Sequence, residues 1–217
     1  MILNLHKPIG WTSFDVVKKI RSITHEKKVG HAGTLDPFAE GVLILGTGKD
    51  TKILSDITKD KKTYEASLLL GISTNTLDTE GDIVANNPVP ILSEEKITDV
   101  LNSFIGDSLQ IPPMFSAKKI NGKRLYKLAR KNITIEREPH KIKIFSISLL
   151  SYIENVLSFV VTCSKGTYVR VLGKDIAERL NTIGHLTKLI RTKVGKFSID
   201  KSLTIEKFQS SWKFSEV

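Results

Sequence analysis

The chain has 217 residues, a net charge of +10, 40% hydrophobic and 26% charged residues. That composition excludes gross disorder, and the longest apolar run, Val42–Leu45, is far too short to span a bilayer. Met1–His6 has no basic region or long apolar core of a secretory signal, and the single cysteine, Cys163, excludes an internal disulfide framework and suits a reducing cytosol.

In chain order, the pattern predicts a short strand at 2–5 and a turn at Lys7-Pro8-Ile9-Gly10-Trp11. A helix follows from Ser13, its N-cap candidate, with Val16, Val17, Ile20 and Ile23 on one face. Gly41–Leu45 reads as a fully buried strand, 51–57 as a short helix, and 63–70 as an alternating strand ending at Gly71. Ser93-Glu94-Glu95 opens a helix with acids in its first turn, apolar at Ile97, Val100, Leu101 and Phe104, and stopped at Gly106. Gln110–Ala117 is a proline-stiffened connector leading to a basic helix at 123–131. Strands at 140–152 and 156–163 flank Glu154-Asn155, a hairpin signal. Tyr168–Leu180 reads as a helix, 185–190 as a short helix, 191–199 as a strand, and Thr204 caps a last turn. Cys163 lies in a strand pattern and is read as core. The irregular mixture, without βαβ regularity, predicts an α+β fold: a mixed, mostly antiparallel sheet flanked by helices and loops, in a single domain over 1–217.

Charge is segregated. Residues 113–143 carry ten Lys/Arg against two Glu, and 165–196 carry eight against two acids, whereas 75–107 carry seven acids against Lys96. Lysine-rich codon bias would not cluster in this way, so the pattern points to a polyanion partner, with RNA and DNA both open.

The most informative segment is Gly30-His31-Ala32-Gly33-Thr34-Leu35-Asp36-Pro37. Two glycines permit positive φ or close approach, and Pro37 holds Asp36 out of the helical region. The expected product is a stiff loop that projects His31 and a carboxylate able to act as nucleophile or acid/base group. An ordinary Asp-Pro turn fits the same residues. Tyr64 starts a strand just after two cations, in Lys61-Lys62-Thr63-Tyr64, where a ring could stack a base while lysines hold phosphate, although the local residues by themselves favour an ordinary strand tyrosine. Lys165-Gly166-Thr167-Tyr168-Val169-Arg170 turns into a helix and aims Tyr168 and Arg170 from its start. An arginine there could hold a carboxylate bidentately, and a surface arginine at a helix start fits the same residues. The five histidines, His6, His25, His31, His140 and His185, have no paired ligand spacing, so no metal is expected.

Taken in order, these segments resemble the bacterial TruB-type tRNA pseudouridine synthases. The resemblance is carried by Leu5–Asp15, Val29–Pro37, Lys62-Thr63-Tyr64, Asp78-Thr79-Glu80-Gly81-Asp82, Gln110–Lys119, Gly122–Arg130 and Cys163–Arg170. It implies that Asp36 is the catalytic aspartate, that Arg170 pairs with it, that Tyr64 stacks on the target uracil and that Tyr168 lines the pocket. His31 matches the family histidine that replaces a displaced base interaction when the T loop opens. The implied substrate is the T-loop uridine at tRNA position 55. The base is flipped out, its bond to C1′ broken, and the uracil rotated and rejoined through C5, without cofactor or metal.

Residues 113–143 are expected to form an RNA-binding basic insertion, and Lys7, Lys118, Lys119, Lys123, Arg124, Lys127 and Arg130 are the candidate RNA contacts. Ile190–Phe197 is similar to the family's pocket-closing strand. The family usually continues into a C-terminal PUA-like domain, which is not expected within this chain. The resemblance further implies a cytoplasmic monomer that acts on the tRNA T arm without a membrane or an obligate protein partner. A tRNA-folding module with secondary catalysis is a second reading. An RNA hydrolase is disfavoured, because no second carboxylate or metal cluster accompanies Asp36.

Overall fold

The computed structural model describes residues 1–120 and 122–213. In chain order the strands are β1 (Ile2–Lys7), β2 (Val29–His31), β3 (Glu40–Thr47), β4 (Lys62–Leu70), β5 (Ile72–Thr74), β6 (Ile83–Asn86), β7 (Gly106–Gln110), β8 (Lys119–Ile120), β9 (Lys123–Arg124), β10 (His140–Ile153), β11 (Val156–Cys163), β12 (Gly184–Val194) and β13 (Phe197–Ser198). The α-helices are α1 (Ser13–Thr24), α2 (Leu54–Ile57), α3 (Glu94–Asn102), α4 (Leu125–Ala129), α5 (Val169–Arg179) and α6 (Ile205–Lys213). Two compact units emerge: Met1–Glu65 with Leu189–Val217, and Ala66–Lys188.

The first unit is organised around β3. It pairs antiparallel with β1, from Ile2 opposite Gly46 to Lys7 opposite Gly41, and antiparallel with β2. It pairs parallel with β12 at Ile190 opposite Glu40 and Arg191 opposite Gly41. Because successive strand side chains point to opposite faces, β3 feeds two cores. Leu43 and Leu45 meet Leu5, Val16, Val17, Ile20, Ile205 and Phe208, whereas Val42 and Ile44 meet Ala32, Leu54, Ile57 and Val194. Burial on both faces explains the unbroken apolar run at 42–45. Helix α1 is capped one residue earlier than the sequence predicts. Thr12 is the N-cap in a capping box with Asp15, which frees Ser13 for another task.

In the second unit the strands run in the order β12, β4, β11, β10, β7. Strands β10 and β11 form an antiparallel hairpin, and β7 pairs antiparallel with β10. The hairpin turn places Glu154 (φ 50°) and Asn155 (φ 64°) both in the left-handed region, as a two-residue type I′ connection needs. Ile97 and Leu101 of α3 and Leu172 and Ile176 of α5 are buried, as is Cys163. The class is α+β with a mixed, mostly antiparallel sheet, as the residue pattern predicts.

Two predicted helices are corrected. Residues 185–190 are extended and belong to β12. Its short apolar run satisfies a strand or a helix pattern equally, and sheet pairing decides between them. Residues 123–131 contain only the short α4, because Lys119-Ile120 and Lys123-Arg124 pair antiparallel as a small hairpin before it. The exposed β6 and the largely polar β7 carry no apolar alternation, so the residue pattern does not reveal them.

Candidate functional site

Within the first unit, Asp36 lies on the irregular connection between β2 and β3, whose carbonyls are held from three directions. From the β1–α1 turn, Lys7 Nζ donates to the carbonyls of Pro8 (2.8 Å), Trp11 (2.6 Å) and Pro37 (3.4 Å), while Gly10 N–H donates to Pro37 O (2.8 Å). From the start of α1, Ser13 Oγ accepts from Leu35 N–H (2.9 Å) and donates to Leu35 O (3.1 Å). From β12, Arg191 donates to the carbonyls of Val42 (2.7 Å), Gly33 (3.1 Å) and Thr34 (3.4 Å). Inside the loop, Ala39 N–H closes on Asp36 O at 3.1 Å. Residues on either side of Asp36 are therefore fixed, a condition for holding a reactive group in one geometry.

Two glycines make this packing possible. Gly33 has φ +89°, a left-handed conformation that side chains seldom adopt, whereas Gly30 has no such conformation. Gly41 has φ +106°, and a Cβ there would lie 2.4 Å from the Arg191 carbonyl, so only glycine lets β3 approach β12 here.

This arrangement corrects Lys7 as an RNA contact. Its side chain is 0% exposed and spent on three carbonyls, so it cannot reach phosphate. Arg191, 1% exposed, likewise leaves the pool of surface cations in the 165–196 stretch. Lys62, buried, donates to Thr58 O (2.5 Å) and Asp60 O (2.7 Å), so the cation before Tyr64 braces its own turn rather than a phosphate. Tyr64 is 8% exposed on β4. His31 is half-buried, and its Nδ1 lies buried without a hydrogen-bond partner. Burial, then the positive charge of Arg191, pushes its pKa below the ordinary histidine range, while a backbone hydrogen bond at Gly33 acts in the other direction. Asp36 itself is half-buried.

Within the second unit, Tyr168 and Arg170 stand at the start of α5. Gln110, buried at the end of β7, grips the Tyr168 backbone with both ends of its amide: Oε1 accepts from Tyr168 N–H (2.8 Å) and Nε2 donates to Tyr168 O (3.2 Å). The His140 ring meets the Tyr168 ring edge-on at 6.0 Å. Arg170 is buried. Its guanidinium donates to Thr76 O (2.5 Å) and Phe115 O (2.7 Å) and pairs with the buried Asp78 carboxylate at 3.3 Å. Asp78 also accepts from Thr76 Oγ1 (2.6 Å) and Glu80 N–H (3.0 Å). A buried arginine so extensively bonded is held in one rotamer, not a surface residue at a helix start. Asp78, Phe115 and Gln110 fall in segments that carry the family resemblance. Nothing in local sequence marks them as partners of Arg170 or Tyr168, because 55 to 94 residues separate Arg170 from Phe115 and Thr76.

The basic segment also belongs to the second unit. Lys119, Lys123, Arg124, Lys127 and Arg130 are exposed or partly so, as is Lys118. Arg124 donates to the Tyr126 hydroxyl at 3.4 Å and Arg130 lies 5.5 Å from the Tyr126 ring centre. Among the described residues no cluster of His, Cys, Asp and Glu could hold a metal ion, and no helix is long and apolar enough to cross a membrane.

Comparison with known proteins places these motifs. The chain matches the N-terminal domain of the TruB family pseudouridylate synthases over residues 21–169. It is 46% identical to the tRNA pseudouridine synthase B of Ureaplasma urealyticum serovar 10, covering 97% of this chain and 93% of that protein. It is also 46% identical to the tRNA pseudouridine synthase B of Bacillus subtilis strain 168, covering 96% and 70% respectively. Among solved structures, it aligns over its full length with a chain of a Cbf5-Nop10-Gar1 complex, at 27% identity and a TM-score of 0.78, covering 56% of that chain. An H/ACA ribonucleoprotein bound to a substrate RNA containing 2′-deoxyuridine aligns at 25% identity and a TM-score of 0.74, with 55% of that chain covered. With the family model, the relatives and the fold in agreement, the chain belongs to the TruB family of pseudouridylate synthases.

Proposed function

We propose that this chain isomerises uridine to pseudouridine at position 55, in the T loop of tRNA, by flipping the base out and using Asp36 as the essential carboxylate. The observation that carries this reading is the three-sided clamp by Lys7, Ser13 and Arg191 on the loop bearing Asp36, since a loop fixed at its carbonyls suits a residue that must meet one atom of its substrate. The names of its relatives supply the substrate class. In this reading the uracil N1–C1′ bond breaks, the base rotates, C5 joins C1′ and the C5 proton is lost, with no cofactor drawn on. Arg170 pairs with Asp36, Tyr64 stacks on the uracil, Tyr168 lines its pocket and His31 takes over the displaced base interaction, each as the family resemblance implies. Lys118, Lys119, Lys123, Arg124, Lys127 and Arg130 hold T-arm phosphates. The enzyme works in the cytoplasm, as a monomer and without an obligate protein partner.

Release of tritium from C5-labelled uridine in unmodified tRNA tests the reaction, because hydrolysis or mere folding of tRNA would give no release without chain cleavage or base loss. The expected result is release by the wild-type protein and none by Asp36→Asn, which keeps the shape but removes the reactive carboxylate. Appreciable turnover by a verified, non-deamidated Asp36→Asn protein would sink the assignment.

A further inference from the structure

One face of α1, the helix that starts beside the Asp36 loop, lies open to solvent. Ile9, at the tip of the turn whose Gly10 N–H bonds to Pro37 O, is 61% exposed, and Phe14, in the first turn of α1, is 55% exposed. Large apolar side chains left so open next to a reactive loop call for an occupant. Phe14, Lys18 and Arg21 follow at i, i+4 and i+7, so they form one stripe along the helix. Lys18 and Arg21 are exposed to solvent, and the Lys18 ammonium sits 5.2 Å from the Phe14 ring centre. Asp15, the neighbouring acid, is drawn into the capping box by bonds from Thr12 N–H (3.0 Å) and Oγ1 (2.5 Å). These hold its carboxyl below the usual carboxylate range and occupy it at the helix N-terminus.

An exposed ring beside two cations, continuous with the loop of a nucleic-acid-modifying site, is the combination that stacks an unpaired base and follows its phosphates. We infer that the Ile9–Phe14–Lys18–Arg21 stripe is a second RNA-contacting surface, with the substrate strand next to the flipped uridine resting a base on Phe14 and Ile9 and its phosphates on Lys18 and Arg21. This deepens the proposed function and rests on it for the identity of the RNA. It also assigns part of substrate recognition to the first unit, in addition to the basic segment at 118–130.

The test measures binding and turnover of a T-arm stem-loop at several salt concentrations. Phe14→Ala should weaken binding about tenfold, as removal of one base stack does, with the effect appearing in KM and the salt slope kept. Phe14→Tyr should restore affinity. Lys18→Ala with Arg21→Ala should instead flatten the log–log salt slope by about 0.7 to 0.9 for each phosphate that is no longer neutralised. Thermal melting of each variant should match wild type, since these side chains are exposed. If wild-type protein forms pseudouridine while Phe14→Ala binds RNA within about twofold of it, the surface proposal is overturned, and the stripe is a solvated face or a contact for another protein. If wild-type protein forms none but Phe14→Ala still weakens binding, the surface stands and the reaction reading fails instead.

Discussion

Two cationic regions of this molecule place the same residue types in opposite environments. Around the Asp36 loop, Lys7 and Arg191 are sealed from water and donate to backbone carbonyls of the loop and its flanks. Along 118–130, by contrast, Lys119, Lys123, Arg124, Lys127 and Arg130 meet water around a small hairpin and a one-turn helix. A buried cation must have all its donors satisfied, so it acts as a fixed brace whose removal leaves carbonyls unpaired. An exposed cation is hydrated and mobile, contributes little to the fold, and is available to phosphate. Burial, rather than residue type, decides whether a cation braces the fold or stays open to solvent.

The contrast is broken most severely at Arg191. Arg191→Met keeps bulk but leaves the Gly33, Thr34 and Val42 carbonyls without this donor. Stability should fall by about 3–5 kcal/mol, read as a lower urea midpoint. A midpoint equal to wild type would mean the brace is dispensable. Lys7→Met should cost somewhat less, about 2–3 kcal/mol, since the turn that Lys7 ties to Pro37 keeps the Gly10 bond. In the surviving folded protein, kcat for the proposed reaction should drop more than KM rises, because the Asp36 loop loosens while the exposed cations at 118–130 are unchanged. An effect confined to KM would make Lys7 an RNA-binding residue after all.

His31 sharpens the comparison through pH. Burial and Arg191 lower its folded pKa, so the unfolded chain takes up a proton that the folded protein resists. Its contribution to stability is complete above the ordinary value of 6.5 and is lost progressively as pH falls from there toward the lowered folded value. Urea midpoints compared at about pH 7.5 and about pH 5.5 should fall more for wild type than for His31→Gln. Equal pH slopes would show that burial of this ring carries no linkage.

The smallest effect on the fold belongs to the exposed region. Lys123→Ala, Arg124→Ala and Lys127→Ala together should leave stability within about 0.5 kcal/mol. The log–log salt slope of tRNA binding should nevertheless shrink by about 0.7 to 0.9 for each phosphate left without its cation. An unchanged slope would make these side chains a solvated face.

Local features were legible in the chain because their causes lie within a few residues of each other. The periodicity of Val16, Val17 and Ile20, the Ser93 cap with its acids, the Glu154-Asn155 turn and the Thr204 cap all act over one or two turns, and each element forms where its pattern predicts. The doubly buried β3 was legible for the same reason, as an unbroken apolar run. The Gly30–Pro37 segment announced a stiff loop, and the residue order along the chain was enough to identify the family. What only the tertiary structure decided are the pairings of distant groups. Residues 185–190 became strand because β12 has neighbours to pair with, which their own sequence does not state. Lys7 became a brace because carbonyls from Pro8, Trp11 and Pro37 converge on one ammonium, and Arg191 because residues 149 to 158 positions away present theirs. A lysine or arginine looks the same in the sequence whether it faces water or carbonyl oxygens, since its cost or benefit is set by the desolvation and partners that only the folded chain provides.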